Sequence, residues 1–181
     1  DEVGGHYARW LAARGVDQAA CTGPDRPGAS RGLVAPQAWR TALAEDDYPS
    51  AFVRDRTVAW LARHVARRDD TPFYLQCSFP DPHHPFTPPG RYWGLYRPED
   101  VELPASYTSH HSGPVPHLQW LWQQRDQGRA LKNTPAVFAA TQREAREAIA
   151  LNYGSITHVD NAIGRVLQKL DELDLRSNTV I

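Results

Sequence analysis

The chain has 181 residues, 41% of them hydrophobic and 23% charged, with a formal net charge of −1 at pH 7. That length suits one domain, or one piece of a larger domain, with a core of its own, and the near-neutral charge excludes a broad basic footprint for nucleic acid. No apolar run approaches the roughly 20 residues that span a bilayer, so no membrane role is expected.

Taken in chain order, residues 1 to 15 read as a short amphipathic helix with Val3, Tyr7, Trp10 and Leu11 on one side and Gly15 as its stop. The stretch from Cys21 to Pro36 is rich in glycine, proline and arginine and reads as loop; its glycines lack the spacing of a phosphate-binding loop. A second helix is expected from Pro49-Ser50, with Ser50 as its N-cap and Val53, Thr57, Trp60, Leu61, His64 and Val65 at helical spacing. Arg63, Arg67 and Arg68 suit the negative end of its dipole. His64 lies on the apolar side and reads as packed rather than as a ligand.

Phe73-Tyr-Leu-Gln-Cys-Ser-Phe79 has the composition and length of a buried strand. Cys77 within it reads as a small core hydrophobe, and with Cys21 it makes only two cysteines, too few for a disulfide framework. The strand opens into a proline-rich turn, Pro80-Asp-Pro-His-His-Pro85. A residue before proline is pushed towards extended geometry, so the two histidines should point to opposite sides and only one should face a given site. A helix feeding a strand that ends in such a turn is an α/β arrangement, in which ligands sit beyond the carboxyl ends of the strands.

Further on, Tyr92, Trp93, Leu95 and Tyr96 read as a packing segment. His110, His111 and His117 read as solvated loop histidines, a metal cluster being the alternative. Leu118-Gln-Trp-Leu-Trp122 is expected to be a helix burying its tryptophans. Residues 136 to 173 form a long helix with Ala145, Ile149, Tyr153, Ile156, Ile163, Leu167 and Leu170 as its apolar stripe. Asp160 falls in that stripe and would need a partner. Gly154 and Gly164 imply close packing or a break near Gly154. The chain opens on Asp1-Glu-Val and carries no methionine, and Thr179-Val180-Ile181 starts a β-branched run; an internal segment or a processed product is expected.

Two blocks carry a family likeness. Phe73 to Pro89, with Tyr92-Trp93 and Val101-Glu-Leu-Pro104, resembles the middle of a type I sulfatase of the alkaline phosphatase superfamily, near its choline-sulfatase and phosphonate monoester hydrolase branch. Ala150 to Arg165, continued through Leu173 to Ile181, is similar to the long helix and following strand of the same family. The resemblance implies a partial α/β fold with an incomplete sheet packed against helices, and makes residues 1–181 an internal segment of a single hydrolase domain. It also implies a hydrolase of sulfate, phosphate or phosphonate esters.

In that family a divalent metal (calcium, magnesium or manganese) works with a formylglycine made from the cysteine of a Cys-x-Pro-Ser-Arg motif. Cys21 is followed by Thr22-Gly23-Pro24-Asp25 and departs from that motif, so no metal or cofactor is expected within this chain. The family's His-x-Pro motif matches His83-His84-Pro85. The resemblance therefore implies that His83 binds the transferred group as a catalytic residue, with His84 orienting the turn and Asp81 steadying His83 through its other ring nitrogen. The implied partner is a small-molecule ester, with homo-oligomer formation open and a soluble cytoplasmic or periplasmic setting expected. The competing reading is a non-catalytic binding module using exposed aromatics and histidines.

Overall fold

The computed structural model describes residues 5–67, 71–107, 115–129 and 139–181. Helix α1, Gly5–Ala13, buries Leu11 completely against Leu43 and Tyr48, with Tyr7 and Trp10 packed alongside. Gly15 ends it as expected: at φ +73° it lets the Val16 amide reach back to the Leu11 carbonyl at 3.0 Å, a closure that favours a left-handed residue. Val3 lies outside the described residues. A single turn, α2 (Gln18–Cys21), leads into the expected loop, and Asp17 caps it by accepting hydrogen bonds from the Ala19 and Ala20 amides.

Helix α3 spans Pro49–Ala66, but its N-cap is Tyr48 rather than Ser50. Pro49 takes the first helical position, where its missing N–H costs nothing, so Ser50 falls inside the first turn with its hydroxyl free to bond elsewhere. Trp60 stacks on His64 at 5.2 Å, and both rings meet Phe73 edge-on, so His64 is packed.

Residues 71–80 follow as extended chain. Phe73, Leu75, Cys77 and Phe79 are partly buried while Tyr74, Gln76 and Ser78 are exposed, the two-residue period of a strand with one covered face. The covered face looks onto Thr57 and Leu61 of α3, and the Thr57 hydroxyl lies 3.3 Å from the Cys77 sulfur. The expected incomplete sheet is not seen among the described residues. The described residues contain no β-strand and only one isolated parallel bridge, between Ala38 and Phe86. Extended chain becomes a strand only through a ladder with a neighbour, and no other described segment supplies one to residues 71–80.

Helix α4, Pro116–Asp126, buries Leu121 but leaves Trp120 53% exposed, contrary to expectation. Helix α5, Gln142–Glu172, runs unbroken for 31 residues. Its start is a capping box: the Thr141 hydroxyl accepts from the Glu144 amide, and the Glu144 carboxylate accepts from the Thr141 amide. The expected apolar stripe is only partly the buried one. Tyr153, Ile156 and Ile163 are exposed, whereas Leu151, Gly154, Ser155, His158 and Ala162 are buried. Small residues allow the closest backbone approach, and α5 uses that face to meet the turn Gly90–Gly94, whose Tyr92 is buried. Asp160 is on the exposed side, where water solvates it, so the expected partner is not required. Glu147 of α5 accepts from the amides of Val34 and Ala35 at 2.7 and 2.6 Å, fixing the preceding loop beside the helix. No helix among the described residues is long and apolar enough to cross a membrane.

Candidate active site

The turn after Phe79 is held from several sides. Within it, the His83 amide donates to the Pro80 carbonyl at 3.3 Å. Asn152 of α5 donates its side-chain amide to the Pro82 carbonyl at 2.9 Å. On the other flank the Phe86 amide donates to the Gln37 carbonyl at 2.8 Å, next to the Ala38–Phe86 bridge. The peptide bonds Asp81–Pro82 and His84–Pro85 are both cis.

His83 and His84 lie side by side. Their rings stack with centroids 4.1 Å apart at 29°, and both are exposed. The expectation that they face opposite ways is therefore corrected: it assumed extended chain, and residues 81–85 bend instead. His83 Nδ1 lies 2.5 Å from the His84 carbonyl oxygen. A carbonyl only accepts, so Nδ1 carries the proton in this contact, and His83 Nε2 donates to a ligand only as the imidazolium.

The expected direct bond from Asp81 to the His83 ring is corrected: the carboxylate is engaged by Ser50 and Tyr48 instead. One of its carboxylate oxygens accepts from the Ser50 hydroxyl in the first turn of α3, and the other accepts from the Tyr48 hydroxyl at 3.3 Å. Burial pushes the Asp81 carboxyl above the usual carboxylate range, and the bonds from Ser50 and Tyr48 oppose that shift. Burial, followed by the nearby Asp81 charge, raises the Tyr48 phenol. The Tyr48 oxygen also lies 2.8 Å from Thr87 Oγ1. Tyr48, Asp81, His83, His84, Tyr7 and Trp39 all line one cavity of about 340 Å³.

A larger cavity of about 760 Å³ is lined by charged side chains that largely pair among themselves, including Arg54 with Asp55 and Lys169 with Glu172. His158 sits at its wall, 3% exposed, against the rings of Tyr48 and Tyr92. Burial pushes its imidazole down to about 4, and its Nδ1 has no hydrogen-bond partner among the described residues.

Sequence reasoning found the two histidines and missed Tyr48, Thr87 and Asn152. No periodicity marks these three, because each acts across a long chain separation: Tyr48 and Thr87 are 39 residues apart, and Asn152 and Pro82 are 70 apart. Of the other expected histidines, His117 stacks on Trp120 in α4, and His110 and His111 lie outside the described residues.

The segment 71–80, the histidine turn that follows it and the long helix α5 that supports the turn together make up the candidate site. The sulfatase family model matches residues 8–181, and the chain belongs to that family. It is 31% identical over 137 residues to an arylsulfatase of Clostridium perfringens, covering 75% of this chain and 25% of that protein. It is 30% identical over 141 residues to the iduronate 2-sulfatase of Homo sapiens, covering 75% of this chain and 26% of that protein. Among solved structures, the phosphonate monoester hydrolase of Agrobacterium radiobacter superposes with a TM-score of 0.64 at 22% identity, covering 96% of this chain and 34% of that one. That likeness places the chain in the same fold. The chain spans about a quarter of the length of these sulfatase relatives. The match does not favour the non-catalytic module.

The family's metal does not fit the described residues. Among them no group of three or more histidine, cysteine, aspartate or glutamate side chains converges to hold an ion. Cys21 and Cys77 are free, and the Cys77 sulfur is engaged by Thr57.

Proposed function

We propose that this chain is one section of a single sulfatase-type hydrolase domain, and that the whole protein hydrolyses small-molecule sulfate, phosphate or phosphonate esters. The carrying observation is the stacked, exposed pair His83 and His84 at the wall of a cavity of about 340 Å³. In this reading His83 meets the transferred group. Its Nδ1 is occupied by the His84 carbonyl, which fixes the ring and leaves Nε2 for the ligand; when protonated, Nε2 donates to an oxygen of the tetrahedral anion and offsets charge that grows during transfer. His84 serves by supplying that carbonyl and by stacking on the ring it orients.

The divalent metal and formylglycine of sulfatases belong to the whole protein in this proposal. In the whole protein, His83→Ala is expected to lower kcat/KM for 4-nitrophenyl sulfate by about a hundredfold, in the range of a lost charge-stabilising donor. Unchanged kcat/KM for that variant, with both aryl sulfate and aryl phosphonate monoesters, would remove His83 from the chemistry. Self-association is tested by sedimentation of the chain, where a monomeric profile counts against it.

A further inference from the structure

The histidine turn begins at Asp81 and ends at Thr87, and both of those side chains bond to the same hydroxyl, that of Tyr48. The directions of these bonds follow from the inventory of donors. A carboxylate only accepts, so the single Tyr48 proton goes to Asp81, and the Thr87 hydroxyl must then donate to the Tyr48 oxygen. Ser50 adds a second donor to the same carboxylate. The result is a directed relay from Thr87 through Tyr48 to Asp81, closing the base of the loop that presents His83 and His84. Tyr48 and Thr87 are 5% and 7% exposed, so water does not readily replace a lost partner.

Tyr48 is itself held rigidly. It caps α3, packs with Leu11 and Leu43, and meets the His158 ring edge-on at 5.4 Å. A hydroxyl fixed in this way transmits the position of the helix to the turn. The Gln37 carbonyl and the Asn152 side-chain amide each hold one point of the turn's backbone, at Phe86 and Pro82, but neither joins its two ends.

We propose that Tyr48 is a positioning residue for the hydrolytic reaction, acting through Asp81 and Thr87 to set the His83 imidazole against the group being transferred. This inference rests on the reading of His83 given above. Small displacements of a group that binds developing charge cost most in the transition state, so loss of the clamp lowers kcat more than it raises KM.

The test uses the full-length protein and 4-nitrophenyl sulfate, with thermal melts to confirm folding. Tyr48→Phe and Thr87→Val are each expected to lower kcat about tenfold or more while KM changes by less than about threefold. Thr87→Ser restores the hydroxyl and is expected to return kcat to the wild-type level. In the background of His83→Ala, adding Tyr48→Phe is expected to cost nothing further, because both act at one point. The proposal is overturned if Tyr48→Phe lowers only the melting temperature, if its effect multiplies with that of His83→Ala, or if Thr87→Ser is no better than Thr87→Val. Should Tyr48→Phe fail to fold, the Thr87→Val and Thr87→Ser pair decides alone. A slow His83→Ala with a normal Tyr48→Phe removes the clamp and keeps the reading of His83; a normal His83→Ala removes both.

Discussion

Gly154 of α5 lies directly against the backbone carbonyl of Tyr92: a Cβ on that glycine would come within 2.3 Å of the oxygen and 3.3 Å of Pro88. The obstacle is backbone, which cannot swing aside as a flexible side chain would. Gly154→Ala is expected to destabilise the chain by about 1–3 kcal/mol, the usual cost of overpacking. Gly164, ten residues on in the same helix, meets nothing within 4 Å, and Gly164→Ala is expected to stabilise by about 0.5–1 kcal/mol through helix propensity. Urea unfolding of both variants checks the pair, and equal effects would refute the assignment.

The capping box at the start of α5 ties Thr141 and Glu144 to each other's amides. Thr141→Ala removes an acceptor from the Glu144 amide and is expected to cost about 1 kcal/mol. Thr141→Ser keeps the acceptor and is expected to stay within about 0.5 kcal/mol of the wild type. Denaturation midpoints of the two variants measure the difference.

His158 gives stability a pH dependence of known sign. Its ordinary value of 6.5 falls to about 4 in the folded chain because burial disfavours the imidazolium. The unfolded chain therefore binds the proton first as the pH drops. The contribution is complete above about pH 6.5, declines as the pH falls from there, and is exhausted below about pH 4, with an order of magnitude of 3 kcal/mol at most. Melting temperature followed across that window is expected to fall less steeply in His158→Phe than in the wild type; parallel curves would contradict the assignment.

The alternation in residues 71–80 separates two neighbouring positions. Leu75 faces the cavity it shares with Leu61 and Leu167, while Gln76 is exposed. Leu75→Asp places an unpaired charge on the covered face and is expected to lower stability by several kcal/mol, whereas Gln76→Asp is expected to fall within about 0.5 kcal/mol of the wild type. Chemical denaturation distinguishes the two, and a destabilised Gln76→Asp would mean that the other face is also covered.

Local patterns in the sequence were enough for the elements built from short-range rules. The glycine stop at Gly15, the helix near Pro49-Ser50, the long helix through Gly154 and the run from Phe73 to Phe79 follow from glycine as a helix stop, the helical period, and the apolar, aromatic composition and length of the run, although its alternating burial was not foreseen. The two histidines were also legible, through the turn chemistry around them and the family resemblance. Which face of α5 is buried was not. Ile156 and Ile163 outweigh Gly154 and Ser155 in hydrophobicity, but close approach of two backbones depends on the absence of side-chain bulk, which a hydrophobic pattern does not register. The side-by-side histidines and the Tyr48 bonds to Asp81 and Thr87 were equally out of reach. The sequence by itself determined that a stiff turn would present His83 and His84 after an extended segment. Only the tertiary structure decided that both rings share one side and that a distant tyrosine closes the turn's base, because those contacts join residues whose separation along the chain carries no periodic signal.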